Sequence, residues 1–402
     1  MIHSKAVRHS RTVLVAVTAV VLFATAACSS SGSKTTSSPP SSPPASASGE
    51  STSGDYTATA QAAVDAAYKG LYTKPTAGGP KAQKGKNIWV VPCSSALFGC
   101  SQPAASIQQA AKVLDWKVTI ADGKASPAGY SAAINQAVAA HADGIITIAI
   151  DCPAAKSALQ KAKNAKIPTV GVFDYDCNDP KAGGGPSLYS ATINSNGTPA
   201  QFGAQWGKLK ADYAIAATKG KAQAVVITHS DFIVTQYEDA AYKAEFAKCS
   251  GCKILKIVDI TGQQLGNPTQ TGQTVATALQ QYPNANVLDA PDDTTTAEIT
   301  QAVTAAHRSN LVVVAGEGYP TTLAAIKKGV VTAAAGVPGG WLGWEGADAM
   351  NRVLAGQPKI PNQGASFQMI DKTHGLPAST SEPFTPTIDY TAAFTANWTA
   401  TG

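Results

Sequence analysis

The sequence predicts an α/β protein of two lobes, each a doubly wound parallel sheet. Three observations lead there. From residue 87 to beyond residue 330, short β-branched runs alternate with helical patterns, the order of elements that builds parallel sheets with helical crossovers. The strand-like runs show almost no polar alternation, as expected where helices cover both faces. The length able to fold, about 345 residues from near position 56, is more than one small core organises and suits two.

The elements follow in order. Lys5, Arg8 and Arg11 precede the apolar run "VLVAVTAVVLFATAA" (13–27), the layout of a secretory signal, too short for the about 20 apolar residues of a membrane span. Thr25, Ala26, Ala27 and Cys28 resemble a bacterial lipoprotein signal, which implies cleavage after residue 27, lipidation of Cys28 and anchoring on the extracytoplasmic face of the cell membrane. An ordinary secretory signal with Cys28 as a free thiol is the alternative. Residues 28–55 are rich in Ser, Pro and Thr and bury too little apolar surface to fold, so a disordered tether is expected. Residues 56–85 read as a helical extension, on the pattern "TATAQAAVDAAYKGLY" (57–72).

The first strand series is "NIWVVPC" (87–93), "KVTIA" (117–121), "GIITIAI" (144–150) and "IPTVGVFD" (167–174). Between them Ile107, Ala110, Ala111 and Leu114, then Tyr130, Ile134, Ala137 and Val138, recur at helical spacing on one face. The glycine- and proline-rich stretch "YDCNDPKAGGGPS" (175–187) reads as a break. A long helix over 199–218 opens a second series: "QAVVITH" (223–229), "KILKIVDI" (253–260), "NVLDA" (286–290), "NLVVVAG" (310–316) and "VVTAAAGV" (330–337). Residues 373–402 read as an irregular tail wrapping a lobe.

Composition excludes several functions. The net charge of +5 includes the three signal cations, so the mature chain has no basic field for nucleic acid. Past the signal only Arg308 and Arg352 carry a guanidinium, the planar fork that grips carboxylates and phosphates; an anionic ligand held by an arginine clamp is disfavoured. Six cysteines besides Cys28 form near pairs, Cys93 with Cys100, Cys152 with Cys177 and Cys249 with Cys252. In an exported chain these read as disulfides, although six cysteines allow fifteen connectivities. "CSGC" lacks the further ligands a zinc site requires, so no metal is expected. His141, His229, His307 and His374 are scattered singly and read as surface or packed residues.

Four stretches carry a resemblance. They are "HADGIITIAIDCPAAKSALQKAKNAKIPTVGVFD" (141–174), "QQYPNANVLDAPDDTTTAEITQAVTAA" (280–306), "NLVVVAGEGYPTTLAAIKKG" (310–329) and "GADAMNRVLAGQP" (346–358). In order and spacing they are similar to the ribose- and galactose-binding branch of the type I periplasmic binding proteins. The resemblance implies a first lobe of 86–175 plus 338–358, a second of 178–336 plus 359–402 with the tail, and a three-segment hinge. It further implies a monomer that closes on a small neutral solute, a sugar above all, and presents it to the permease of an ABC importer, with no cofactor and no chemistry of its own. A nucleoside, aromatic or signalling ligand is the alternative and predicts that stacking residues outnumber carboxylates in the cleft. A sensor domain is a further one. An extracellular glycosidase would need two acids such as Asp151 and Asp292 at a suitable separation.

Ligands of open parallel sheets bind outside the carboxyl ends of the strands, so residues at strand tips are the candidates. Asp151 matches the family's hydroxyl-binding aspartate, and it also sits where it could cap the helix that follows. Asp174, beside the first crossing, is a further candidate. Asp292 stands where the family places a ligand-facing residue ahead of a buried Asp293, and Glu317 matches the family's next strand-end acid. Gln236 or Tyr237 falls where the family carries an arginine that this chain lacks. Phe98, Tyr319 and Trp341 are available as aromatic walls.

Overall fold

The computed structural model describes residues 53–193, 197–308, 310–359 and 363–400; the expected signal, most of the tether and Cys28 lie outside these. Among the described residues no helix is long and apolar enough to cross a membrane.

The first sheet is built from β1 (Asn87–Pro92), β2 (Lys117–Ile120), β3 (Gly144–Ile148), β4 (Thr169–Val172) and β5 (Ala191–Ile193). Its order is β2-β1-β3-β4-β5 with every pair parallel. The second comprises β6 (Gln223–Thr228), β7 (Lys253–Asp259), β8 (Val287–Ala290), β9 (Val312–Ala315), β10 (Ala333–Gly336) and β11 (Gln368–Asp371), in the order β11-β10-β9-β8-β6-β7. Only β11 runs antiparallel.

The helices are α1 (Ser53–Tyr68), α2 (Phe98–Leu114), α3 (Pro127–Ala139), α4 (Cys152–Asn164), α5 (Pro199–Ala217) and α6 (Ile233–Phe246), followed by α7 (Pro268–Gln281), α8 (Asp293–Ala305), α9 (Pro320–Lys328), α10 (Gly339–Leu354) and α11 (Tyr390–Thr399). Their ends follow local chemistry. Thr198 and Gln201 form a reciprocal capping box ahead of Pro199 at the start of α5, and Gly329, at φ 78°, closes α9. The second sheet is buried on both faces with the two-residue period of a strand: Val225, Ile227, Leu288 and Val313 pack toward α7, α8 and α9, whereas Ala224, Val226, Val287 and Val314 share a core with Phe202, Trp206 and Tyr242.

The lobe boundaries differ from the sequence reading in two places. Residues 178–193, expected in the second lobe, end in β5 and pair with β4 of the first sheet. The glycine-rich stretch is therefore a loop within the first lobe, tied by the Cys152–Cys177 disulfide and by Asp176, which accepts from the N–H groups of Cys177 and Leu188. The tail, expected with the second lobe, divides: β11 joins the second sheet, and α11 packs on α10 and α2 of the first lobe. Cys93–Cys100 and Cys249–Cys252 are likewise bonded.

Two strands of chain join the lobes beyond the three-segment hinge. The extension α1 packs on α5 and β11 of the second lobe, and the chain then passes to the first, where Ala82 donates to the Trp398 carbonyl and Gln83 to the Asn351 side chain. The tail returns from β11 past Gly318, whose carbonyl accepts from Phe384, to α11. There Trp398 is 2% exposed, stacks on Trp344 with centroids 5.4 Å apart, and donates its indole N–H to Asp348 at 2.8 Å. Truncating a buried aromatic residue costs about 3–5 kcal/mol. Trp398→Ala is therefore expected to lower the unfolding free energy by about that amount in a urea titration; a loss below about 1 kcal/mol would show that α11 does not hold the tail on the first lobe.

Candidate functional site

Strand tips from both lobes enclose one small cavity of about 90 Å³. From the first lobe come Cys93 after β1, Leu97 and Gly99 of the disulfide-closed loop, Ala149 after β3 and Phe173 after β4; from the second come His229 after β6, Phe232 and Thr235 at the start of α6, Asp292 after β8 and Glu317 after β9, with Trp206 of α5. A wider opening of about 920 Å³ shares Leu97, Leu265 and Thr294 with it and carries Phe98, Lys124, Asp231 and Glu298.

The turns that aim these residues are held by a buried acid. Ala149 and Phe173 have φ of 52° and 62°, a left-handed backbone that costs a residue with a Cβ about 1–3 kcal/mol and tends to mark functional sites. Asp174, fully buried, accepts from the Ile150 N–H at 2.8 Å and from the Thr147 hydroxyl, fixing both turns. Burial pushes its carboxyl well above the usual range, against the pull of those donors. Asp293 does the same in the second lobe, accepting from the N–H groups of Glu317, Tyr319 and Thr322.

Three polar side chains define the chemistry of the cavity. His229 Nε2 lies 2.6 Å from Asp292 Oδ2 and 2.9 Å from Thr295 Oγ1, while Nδ1 faces the Ile260 carbonyl. Burial alone would lower the His229 pKa, but Asp292 and the Ile260 carbonyl together raise it, and each ring nitrogen has an oxygen partner. Burial would raise the Asp292 carboxyl, and His229 brings it below its ordinary value. Glu317 is 6% exposed, and burial, with Asp292 and Asp293 nearby, pushes its carboxyl well up. Such a site accepts hydrogen bonds and presents aromatic surface.

Of the residues expected from sequence, Asp292 and Glu317 line the cavity and Phe98 lines the opening. The others stand elsewhere. Asp151 neither lines the cavity nor caps α4 with its side chain; its two oxygens accept from the N–H groups of Tyr175 at 3.0 Å and, across the lobe interface, Ile233 at 2.9 Å. Asp151 therefore does not share the cavity with Asp292. Asp174 serves the backbone as above. Gln236 donates to the Ser230 carbonyl. Tyr237 stacks on Tyr175 and donates to Asp179 at 2.8 Å. Tyr319 is buried, and Trp341 stacks on Tyr390 in the packing of α10 against the tail. Both arginines are engaged elsewhere, Arg352 with Asp348 at 2.6 Å and Arg308 with the carbonyls of Pro283 and Ala285.

Sequence reasoning missed His229, Phe173, Phe232 and Trp206. His229 and Phe173 stand at strand tips, the signal that selected Asp292, and were discoverable by it. Phe232 and Trp206 sit at or in helices, where an aromatic residue reads as core.

GanP, a glucose-galactose binding protein from Geobacillus stearothermophilus, superposes with a TM-score of 0.62 at 19% identity, over 72% of this chain and 99% of its own. An ABC transporter solute-binding protein from Burkholderia graminis, in complex with D-arabinose, gives 0.63 at 19% identity over 73% and 97%. Another from Agrobacterium vitis, with bound allitol, gives 0.62 at 17% over 72% and 96%. No curated protein matches by sequence. A family model, periplasmic binding protein domain, matches residues 89–358, and with two parallel-sheet lobes around a cavity at their strand tips the chain belongs to that family of solute-binding, non-catalytic proteins.

Proposed function

We propose that this chain is a solute receptor on the extracytoplasmic face of the membrane, anchored through Cys28, that captures a small organic molecule between its lobes and hands it to an ABC importer. Residues 86–193 with 338–358 and α11 form one jaw, and residues 199–336 with β11 the other. The carrying observation is that one cavity takes its wall from strand tips of both lobes. A ligand there completes its contacts only when the lobes are closed, so its differential affinity shifts the hinge equilibrium.

The sugars and polyol in the related structures support a compact, hydroxyl-bearing ligand with an apolar face. The aromatic alternative also has support, because Phe173, Trp206 and Phe232 outnumber Asp292 and Glu317 on the wall. The volume of about 90 Å³ is below the roughly 150 Å³ that admits benzene in an engineered cavity. A ligand the size of a hexose would therefore have to displace Leu97 or Leu265, which separate the cavity from the wider opening.

A thermal-shift screen of the full chain against pentoses, hexoses, polyols, nucleosides and small amines tests this reading. A ligand at a hundred times its Kd adds about 2.7 kcal/mol of stability, and its binding should shrink the radius of gyration in small-angle scattering. Phe232→Ala should weaken it at least tenfold, about 1.4 kcal/mol. A panel in which nothing stabilises or compacts the protein would remove the solute-capture reading.

Closure should also respond to pH through Asp151. Burial pushes its carboxyl to about 7, opposed by the bonds from Ile233 and Tyr175 and reinforced by Asp179 and Asp231. Opening the lobes returns it toward the ordinary value of about 4, so closing takes up a proton between those limits. Asp151 thus favours closure most below about pH 4, and the benefit is lost as pH rises to about 7 and then levels. The scattering radius of the ligand-free protein is expected to grow from pH 4.5 to 7, and Asp151→Asn to flatten that curve; an unchanged curve in the variant would assign the proton to another group.

A further inference from the structure

The cleft holds a carboxyl that its own groups leave without a partner. Asp292 is paired with the His229 ring at 2.6 Å, which leaves Glu317. Its carboxylate lies on the cavity wall in a residue 94% buried, and among the described residues no donor reaches either of its oxygens; the backbone N–H groups beside it go to Asp293 instead. Among the described residues no lysine or arginine lines the cavity. The buried ammonium of Lys210 is already held by Glu238 at 2.6 Å and Asp289 at 2.9 Å. At the wider opening Asp231 and Glu298 face a single cation, Lys124, and Glu298 Oε2 is itself buried without a partner.

The rest of the wall is aromatic and aliphatic. Phe173, Trp206 and Phe232 share it with Leu97, Val234 and Leu265, and the only hydroxyls are those of Thr235 and Thr294. A sugar presents hydroxyls all round its ring and would find few partners for them here, and burying a hydroxyl without one is unfavourable. A cation has the opposite needs. It is attracted to aromatic faces, most strongly when desolvated, and it supplies the counter-charge a buried carboxylate lacks.

We propose that the solute taken by this cleft is a small organic cation, a protonated or quaternary amine whose charged end lies between the Glu317 carboxylate and the rings of Phe173, Trp206 and Phe232. The proposal rests on the solute-capture reading above and narrows it. The small volume suits an amine of the size of ethanolamine, with four heavy atoms, whereas choline, with seven, must move Leu97 or Leu265 as a hexose would. Burial and the neighbouring Asp292 and Asp293 raise the proton affinity of Glu317, and a cation beside it would take the place of that proton.

A matched pair of probes isolates the charge: choline, and 3,3-dimethylbutan-1-ol, in which carbon replaces the quaternary nitrogen. In calorimetric titrations of the full chain, choline or the smaller ethanolamine is expected to bind, with choline at least tenfold tighter than its uncharged isostere. Glu317→Gln should abolish that preference while leaving the melting temperature of the ligand-free protein unchanged or higher, because it removes a buried carboxyl that has no partner. Phe232→Ala should weaken choline at least tenfold. Equal binding of the pair, or preference retained in Glu317→Gln, overturns the inference while leaving solute capture intact. So does a neutral sugar that binds where both amines fail. Silence from every amine, sugar, polyol and nucleoside removes solute capture itself.

Discussion

The structure depends on what happens to the backbone where parallel strands stop. At the carboxyl ends of a sheet the N–H groups of the departing loops lose their ladder partners, and a buried amide without an acceptor is costly. This chain supplies acceptors as buried carboxylates: Asp174 for Ile150, Asp176 for Cys177 and Leu188, Asp293 for Glu317, Tyr319 and Thr322, and Asp151 for Tyr175 and Ile233. Each carboxylate gives up hydration, and charge-assisted bonds from one to three amides offset part of that loss. The loops so fixed are those that carry the cavity wall. Ala149 and Phe173 keep their left-handed turns because Asp174 sits beneath them, and Glu317 is placed by the bond its own N–H makes to Asp293.

Asp151 extends this chemistry across the interface. One oxygen serves the first lobe, and the other receives the first N–H of α6 in the second, where the helix dipole favours an anion. With the bond between Tyr237 and Asp179, it gives closure an attraction that owes nothing to ligand. The α1 extension and the tail act in the same direction. Two further strands of chain anchored on both lobes limit how far the hinge can open, since Leu71 and Thr73 donate to Phe367 and Gly364 and α11 is locked by Trp398.

The alternation of buried strands and amphipathic helices made both sheets legible, because a parallel sheet covered on two faces leaves continuous apolar runs. What escaped was short or ambiguous. β5 has three residues, too few to show a period, and it follows a glycine-rich loop that composition alone reads as an exit from the lobe. α11 lies in a segment whose prolines and threonines suppress a helical pattern. At the site, position at a strand tip was the right guide but not a sufficient one. Asp151, Asp174, Asp292 and Glu317 all occupy tips, and whether such an acid turns toward its own loop or into the cleft depends on local backbone angles that no spacing encodes. His229 looks solitary in sequence because its partners, Asp292 and Thr295, come from another strand tip 63 and 66 residues away.

Closure then becomes a contest between two carboxylates. Asp151 favours closure only while it holds a proton, because burial in the closed form outweighs the bond from Ile233 and raises its carboxyl to about 7. Glu317 opposes it, because closing removes its charge from water and offers nothing in return, and an ion buried without a partner costs several kcal/mol unless it takes up a proton. With these opposed, a ligand need not create the closed state from contacts alone; it only has to cancel the one repulsive term. A cation between Glu317 and the rings would do so in the closed form, while in the open form water would already screen that carboxylate and little would be gained. Differential affinity of this kind is what a population shift requires, and it would let a small ligand with few hydrogen bonds drive a large movement.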